Sequence, residues 1–349
     1  MIKHQFFPHS PSMRSKSLLV GVSLGLMASG CPTGSSTLAE GLEYQIEALA
    51  KPERDAEIEK LAKRLGVNYK TLGTLNQNER KLKNEQGKRT GKQYKPTILS
   101  MHHSVSPDLA STLGTLQLRG TSVTYVIARN GDIIQVAKEA NRQWSEGHGE
   151  WRGIKDVNTF TISLMGVNRG KENKSYKDNM GQDRLHEAEL EYAPKLLKTL
   201  GPLCQLLVER YKIAPRDFIG QSDMATRRDN HHYGRMVTPD THFPWQKLHQ
   251  EYGLGAWPDT TKTLKRAKLP QNDPEKAPWV QKHLRAYGYT ACPETGEFDV
   301  PTQQAIKVFQ MHFYPENVSG QADHETIKRL AALVEQYVPP NEYDKYVGP

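Results

Sequence analysis

The chain has 349 residues, 36% of them apolar, and 47 Lys and Arg against 39 Asp and Glu leave a formal charge of +8. A mean hydropathy of -0.70, with no apolar run near the roughly 18 residues a membrane span needs, excludes a multispan membrane protein. Three cysteines exclude a disulfide scaffold, and the basic balance points to an acidic partner: nucleic acid, an anionic membrane face or an acidic wall polymer.

Residues 1–31 read as an export signal. Arg14 and Lys16 precede the apolar stretch Leu18 to Ala28, which is too short to span a bilayer. It ends in Met27-Ala28-Ser29-Gly30-Cys31, which resembles a bacterial lipobox. The resemblance implies cleavage before Cys31, acylation of its thiol and a place in the cell envelope, on the periplasmic face of the outer membrane. An exported protein does not meet chromosomal DNA, so nucleic acid leaves the set of partners; the membrane enters it only through the lipid anchor.

Residues 32–94 read as a tether and charged spacer. Within it, Ile58, Leu61, Ala62 and Leu65 form a helical stripe, and Gly66 is a natural C-cap. From residue 95 to 260 strands alternate with helices. Thr97 to Met101 is a short buried strand. Ser122 to Val136 holds two β-rich runs around the turn Arg129-Asn130-Gly131-Asp132. Thr159 to Val167 is a strand, Glu189 to Tyr211 an amphipathic helix, and Asp217 to Gly220 a strand. The pattern predicts an α/β domain with helices packed on a central sheet. Residues 261–278 read as a linker and 279–338 as a small all-α domain, with Asp299 and Thr302 as cap candidates. Cys204 and Cys292 fall in different domains, either as a disulfide or as two buried thiols.

The order of short motifs is specific. Ile98-Leu99-Ser100-Met101-His102-His103-Ser104 ends a strand in histidine. Tyr125 to Val136 supplies a hairpin, followed by Trp144, Gly147, Trp151-Arg152-Gly153 and Asn168-Arg169-Gly170. Ile219-Gly220-Gln221-Ser222-Asp223, Phe243-Pro244-Trp245 and Gly255-Ala256-Trp257-Pro258-Asp259 close the domain. This succession resembles the zinc-dependent type 2 N-acetylmuramoyl-L-alanine amidases, above all the outer-membrane lipoproteins that carry a C-terminal wall-binding domain. Residues 279–337, through Tyr287-Gly288-Tyr289, Phe298-Asp299, Phe309-Gln310 and Gly320-Gln321-Ala322-Asp323, resemble a three-helix peptidoglycan-binding domain. The resemblance implies a mixed central sheet flanked by helices, peptidoglycan as partner, and zinc-assisted hydrolysis of the amide between N-acetylmuramic acid and L-alanine. Most of these aromatics and leucines read as the core of a small bundle; Tyr287, Tyr289, Gln310 and Asp323 are the wall-binding candidates among the residues of the resemblance.

A zinc hydrolase needs three protein ligands, an open position for water and a carboxylate to move the proton. By the resemblance, His102 stands at the first ligand position. Gln221 stands at the second, Thr238 at the third, and Met165 at the carboxylate position. Amide and hydroxyl groups are poor zinc ligands beside imidazole and carboxylate, and a thioether transfers no proton. The expectation is a degenerate zinc site in a peptidoglycan-binding member of the family, with zinc absent or weakly held. The alternative is an active amidase with a rebuilt centre drawn from His231 or His232 with His102 or His103 and Asp229 or Asp240, with Glu146 or Glu150 as the replacement carboxylate.

Overall fold

In the computed structural model, which describes residues 54–72, 78–79, 81–83, 89–170 and 191–348, order begins with a capped helix. Helix α1 (Ala56–Leu65) starts where the Asp55 carboxylate accepts the backbone N–H bonds of Glu57 and Ile58, and it ends at Gly66 in the left-handed region. Strand β1 (Tyr69–Thr71) follows, then the short strands β2 (Asn78–Glu79), β3 (Lys81–Lys83) and β4 (Arg89–Gln93). Next come β5 (Ile98–His103), α2 (Leu109–Arg119), β6 (Tyr125–Ile127), β7 (Ile133–Gln135), β8 (Asn141–Arg142), α3 (Val157–Phe160) and β9 (Thr161–Gly166). The domain closes with α4 (Pro194–Tyr211), β10 (Phe218–Gly220), α5 (Gln221–Met224) and α6 (Trp245–Tyr252). Among the described residues, six strands form a mixed sheet in the order β1-β7-β6-β9-β5-β10, antiparallel only between β6 and β7. The export signal and Cys31 lie outside the described residues.

The segment read as a charged spacer is partly a piece of this domain. Strand β1 pairs in parallel with β7, Tyr69 opposite Ile133, and Ile58, Leu61 and Ala62 are buried in one cluster with the leucines of α4. A polar network fastens the helix: the Arg210 guanidinium donates to Asp55 at 2.8 Å, Glu57 at 2.6 Å and Glu139 at 2.8 Å. Ile58→Ala is therefore expected to cost about 2–5 kcal/mol in urea unfolding, as a core truncation does. A loss below about 0.5 kcal/mol, the range of surface changes, would return the segment to a spacer.

Local chemistry sets the other boundaries. Helix α4 starts at Pro194 rather than Glu189, because proline presets φ for a first helical position and disfavours α geometry before itself. Its Leu196, Leu200, Leu203 and Leu207 are buried. The β6–β7 turn uses Gly131 at φ 93°, where an added Cβ would stand 2.8 Å from Thr199 Oγ1. Strand β5 runs through both histidines, so alternation sends His102 and His103 to opposite faces. Cys204 and Cys292 are buried free thiols in different clusters, not a disulfide.

The helical domain comprises α7 (Asp273–Tyr287), α8 (Val300–Phe313), α9 (His324–Tyr337) and a short α10 (Pro340–Tyr346). It starts before residue 279 and continues past 338. The expected linker is packed chain, with Ala267 buried and Arg266 donating to the carbonyls of Glu335 and Val338. The domain contains a structural repeat. Gln281 donates to Thr302 Oγ1 and accepts from Gly296 N, while Gln310 donates to Thr326 Oγ1 and accepts from Gly320 N. Asp299 and Asp323 cap the following helices on Thr302 and Thr326.

The two domains share one interior. Trp151, Ile98 and Met224 of the sheet domain are buried with Tyr287, Tyr289, Phe309 and Phe313 of the helical domain. At this seam Asp223, 0% exposed, accepts from Tyr289 Oη at 2.5 Å, Gly220 N at 2.8 Å and His312 Nδ1 at 2.8 Å. Trp245 stacks on the His312 ring, and Arg152 bridges Asp217 to Glu342 of α10.

Candidate functional site

Strands β5 and β9 run in parallel, with Ser100 opposite Ser163 and His102 opposite Met165. Their alternating side chains put these four residues on one face. The chain after β10 brings Gln221, and the segment before α6 brings Thr238. A groove of ≈ 310 Å³ is lined by His102, Met165, Gln221 and Thr238, together with Trp144, Arg119 and Arg235. Val105 on its rim is 44% exposed and held at φ 54°, a costly conformation for a β-branched residue. Trp144, also exposed, lies under the Arg142 guanidinium.

Beneath the groove lies Glu146, fully buried. Its Oε1 accepts from Ser145 at 2.9 Å and Ser163 at 2.7 Å and lies 3.1 Å from His102 Nε2; its Oε2 accepts from Ser100 at 3.1 Å. Burial opposes its ionisation. The charge and hydrogen bond of His102 and the hydroxyls of Ser163 and Ser145 outweigh that, so the carboxyl titrates below its ordinary value. The groove wall is otherwise cationic: Arg235 donates to the carbonyls of Glu146 and His148, and no carboxylate joins Arg119 and Arg235 in the lining.

These contacts decide how well the site suits zinc. Gln221 spends its amide on the carbonyls of Ser145 and Glu146, and Thr238 Oγ1 accepts the His103 backbone N–H. His103 also borders the groove, but its Nδ1 accepts the Asp240 N–H and its ring packs on Gly170. Burial holds His103 down to about 4 despite the Asp240 charge. His231 is exposed, its ring 4.9 Å from that of His148, and His232 lies in the same surface turn. The rebuilt centre imagined from His103, His231, His232 and Asp240 with His102 is thus not assembled. Among the described residues no three His, Cys, Asp or Glu side chains converge on one point. One imidazole, one amide and one hydroxyl do not fit the tetrahedral set a zinc hydrolase uses.

Three of the four wall-binding candidates are interior residues. Tyr287 and Tyr289 are fully buried in the seam, Gln310 is buried as a loop staple, and Asp323 caps α9. Aromatic and amide residues of a small helical bundle first fill its own interior. Sequence spacing did not reveal Arg235, which sits in the irregular loop after α5 at no fixed offset from any motif. Glu146 was visible as a carboxylate near Trp144, but its place beside His102 depends on strand register.

Residues 92–233 match the family of N-acetylmuramoyl-L-alanine amidases, and residues 274–330 match a peptidoglycan binding domain. The N-acetylmuramoyl-L-alanine amidase AmiD of Escherichia coli (strain K12) is 30% identical over 251 residues, 69% of this chain and 83% of that protein. The solved complex of Escherichia coli AmiD with the substrate anhydro-N-acetylmuramic acid-L-Ala-D-gamma-Glu-L-Lys superposes with a TM-score of 0.53 at 27% identity, covering 74% of this chain and 99% of that one. AmpDh3 of Pseudomonas aeruginosa, in complex with anhydromuramic pentapeptide, gives 0.56 at 26% identity, covering 74% and 99%.

Proposed function

Because the chain belongs to the N-acetylmuramoyl-L-alanine amidase family and carries a peptidoglycan-binding domain, we propose that it is an envelope lipoprotein which binds peptidoglycan in its groove without zinc-dependent hydrolysis. The observation that carries this reading is the donor set on the groove: His102, Gln221, Thr238 and Met165, lined also by Arg119 and Arg235. The cavity persists and its cations suit a ligand with carboxylates, while the groups that would hold a metal and move a proton are replaced. The anchor would be Cys31, acylated after signal cleavage, on the periplasmic face of the outer membrane; the lipobox-like run before it supports this part.

The test uses the purified mature protein and isolated sacculi. Expected results are less than a tenth of an equivalent of zinc after dialysis from zinc buffer, pelleting with sacculi, and no release of peptides with a free L-alanine amine. One equivalent of zinc together with amide cleavage would overturn the reading in favour of an active amidase. Failure to pellet would remove the wall as partner. Radiolabelled palmitate should enter the wild type and not Cys31→Ser; label in both sinks the anchor.

A further inference from the structure

Helix α1 is the first element that the structure describes, and its polar face is unevenly charged. Glu57 is held by Arg210 and Glu59 by Arg54. The cations of the helix have no such partners: Lys60, Lys63 and Arg64 are exposed and form no ion pair among the described residues. Their spacing of three and four residues puts them on one face.

These three side chains line a cleft of ≈ 720 Å³ between α1 and α4. Glu57 meets Arg210 at one end, and Val67 and Lys195 both stand against Gly131 at the other, so the two helices run antiparallel. Glu57 and Glu209 therefore occupy one end of the cleft, and Lys63 and Arg64 the opposite end. Lys198, exposed one turn before Pro202, extends the basic end. The floor is apolar, made by Leu61, Pro202 and Leu206, and no aromatic ring lies in the lining to stack on a base or a sugar.

We propose that this face docks on an anionic phospholipid surface, with lipid phosphates at Lys60, Lys63 and Arg64 and the uncharged part of a headgroup over the apolar floor. Cations beside a membrane feel the negative potential of its leaflet, and their contributions accumulate residue by residue. The chain from Cys31 to Lys60 spans at most about 100 Å when extended, so a bilayer that holds the anchor is within reach of the face. A single acyl chain holds a protein only marginally, and a basic patch is the kind of second signal that makes attachment stable. Docking through α1 would also fix which way the domain turns its groove. Of the reading above, this uses only the place in the envelope, and it is independent of what the groove binds.

The test is vesicle cosedimentation of the mature chain carrying Cys31→Ser, which has no thiol there to acylate. At about 0.1 M salt it should bind vesicles of phosphatidylcholine mixed with phosphatidylglycerol and not vesicles of phosphatidylcholine alone. Lys60→Ala, Lys63→Ala and Arg64→Ala should each weaken that binding about fivefold, and the triple variant on the order of a hundredfold. All three side chains are exposed, so the triple variant keeps the melting temperature of its parent. A second triple variant, Lys262→Ala, Lys265→Ala and Lys268→Ala, removes as many exposed cations elsewhere and should stay within about twofold. Equal losses in the two triple variants, equal binding to neutral and anionic vesicles, or no vesicle binding overturns the proposal. Full competition by inorganic phosphate at matched ionic strength also overturns it, in favour of a small-anion site. Palmitate labelling at Cys31 is read separately, so the anchor can fail while this face stands, and the reverse.

Discussion

Replacing Glu146 by alanine is expected to lower the unfolding free energy by roughly 3–5 kcal/mol, the range for breaking a buried charged pair. The carboxylate is fully buried and takes up bonds from Ser100, Ser145 and Ser163 while meeting His102 Nε2. Alanine would strand these polar groups around a void, and each unsatisfied one costs about 1–3 kcal/mol. Glu146→Gln keeps the volume and part of the bonding, so its cost should be smaller, about 1–3 kcal/mol. Urea unfolding gives both numbers from the shift in midpoint at constant slope. A loss below about 1 kcal/mol for alanine would mean that Glu146 does not hold β5 to β9.

The same group sets an acid limb. The folded carboxyl titrates below its ordinary value, so its stabilisation is present above the unfolded value of about 4.3 and fades as pH falls through the folded one. The gap in stability between the wild type and Glu146→Gln should narrow as pH drops below about 4.3. A gap that is constant through the acid range contradicts the ionised carboxylate.

Asp223→Ala carries a comparable expected loss, roughly 3–5 kcal/mol, from a second fully buried carboxylate. Asp223 joins β10 to the helical domain through Tyr289, His312 and Gly220, beneath the Trp151 ring edge-on to Tyr289. Scanning calorimetry of the wild type should show one cooperative transition, because the two domains have one interior. The variant should melt on the order of 10 °C lower. Two separate transitions in the wild type would show that the domains are independent and the seam weak.

Much of the sheet domain was legible because its signals are local. The alternation at 98–103, the Asn130-Gly131 turn and the leucine spacing of α4 each specify an element from a few neighbouring residues. What escaped depends on distant partners. Helix α1 is apolar on one stripe only, and it reads as solvated until α4, about 140 residues later, covers that stripe. Tyr287 and Tyr289 read from sequence as core of their own bundle or as wall contacts, and neither reading foresees Trp151 and Asp223, which reach them from the sheet. The groove positions His102, Met165, Gln221 and Thr238 were named from motif order, and they line one cavity. Arg235 and the Glu146 network were not, since neither has a motif of its own.

The shared interior also governs how a long polymer would meet this protein. A wall-binding module on a flexible linker searches a volume, and its partner site then sees an effective concentration set by linker length. Here Trp151, packed among Tyr287 and Tyr289, removes that freedom. A strand gripped by the helical domain reaches the groove at one fixed offset. On the proposed function, only chains whose repeat distance matches that offset would engage both places at once, which would make avidity a ruler for the spacing of peptides along the wall.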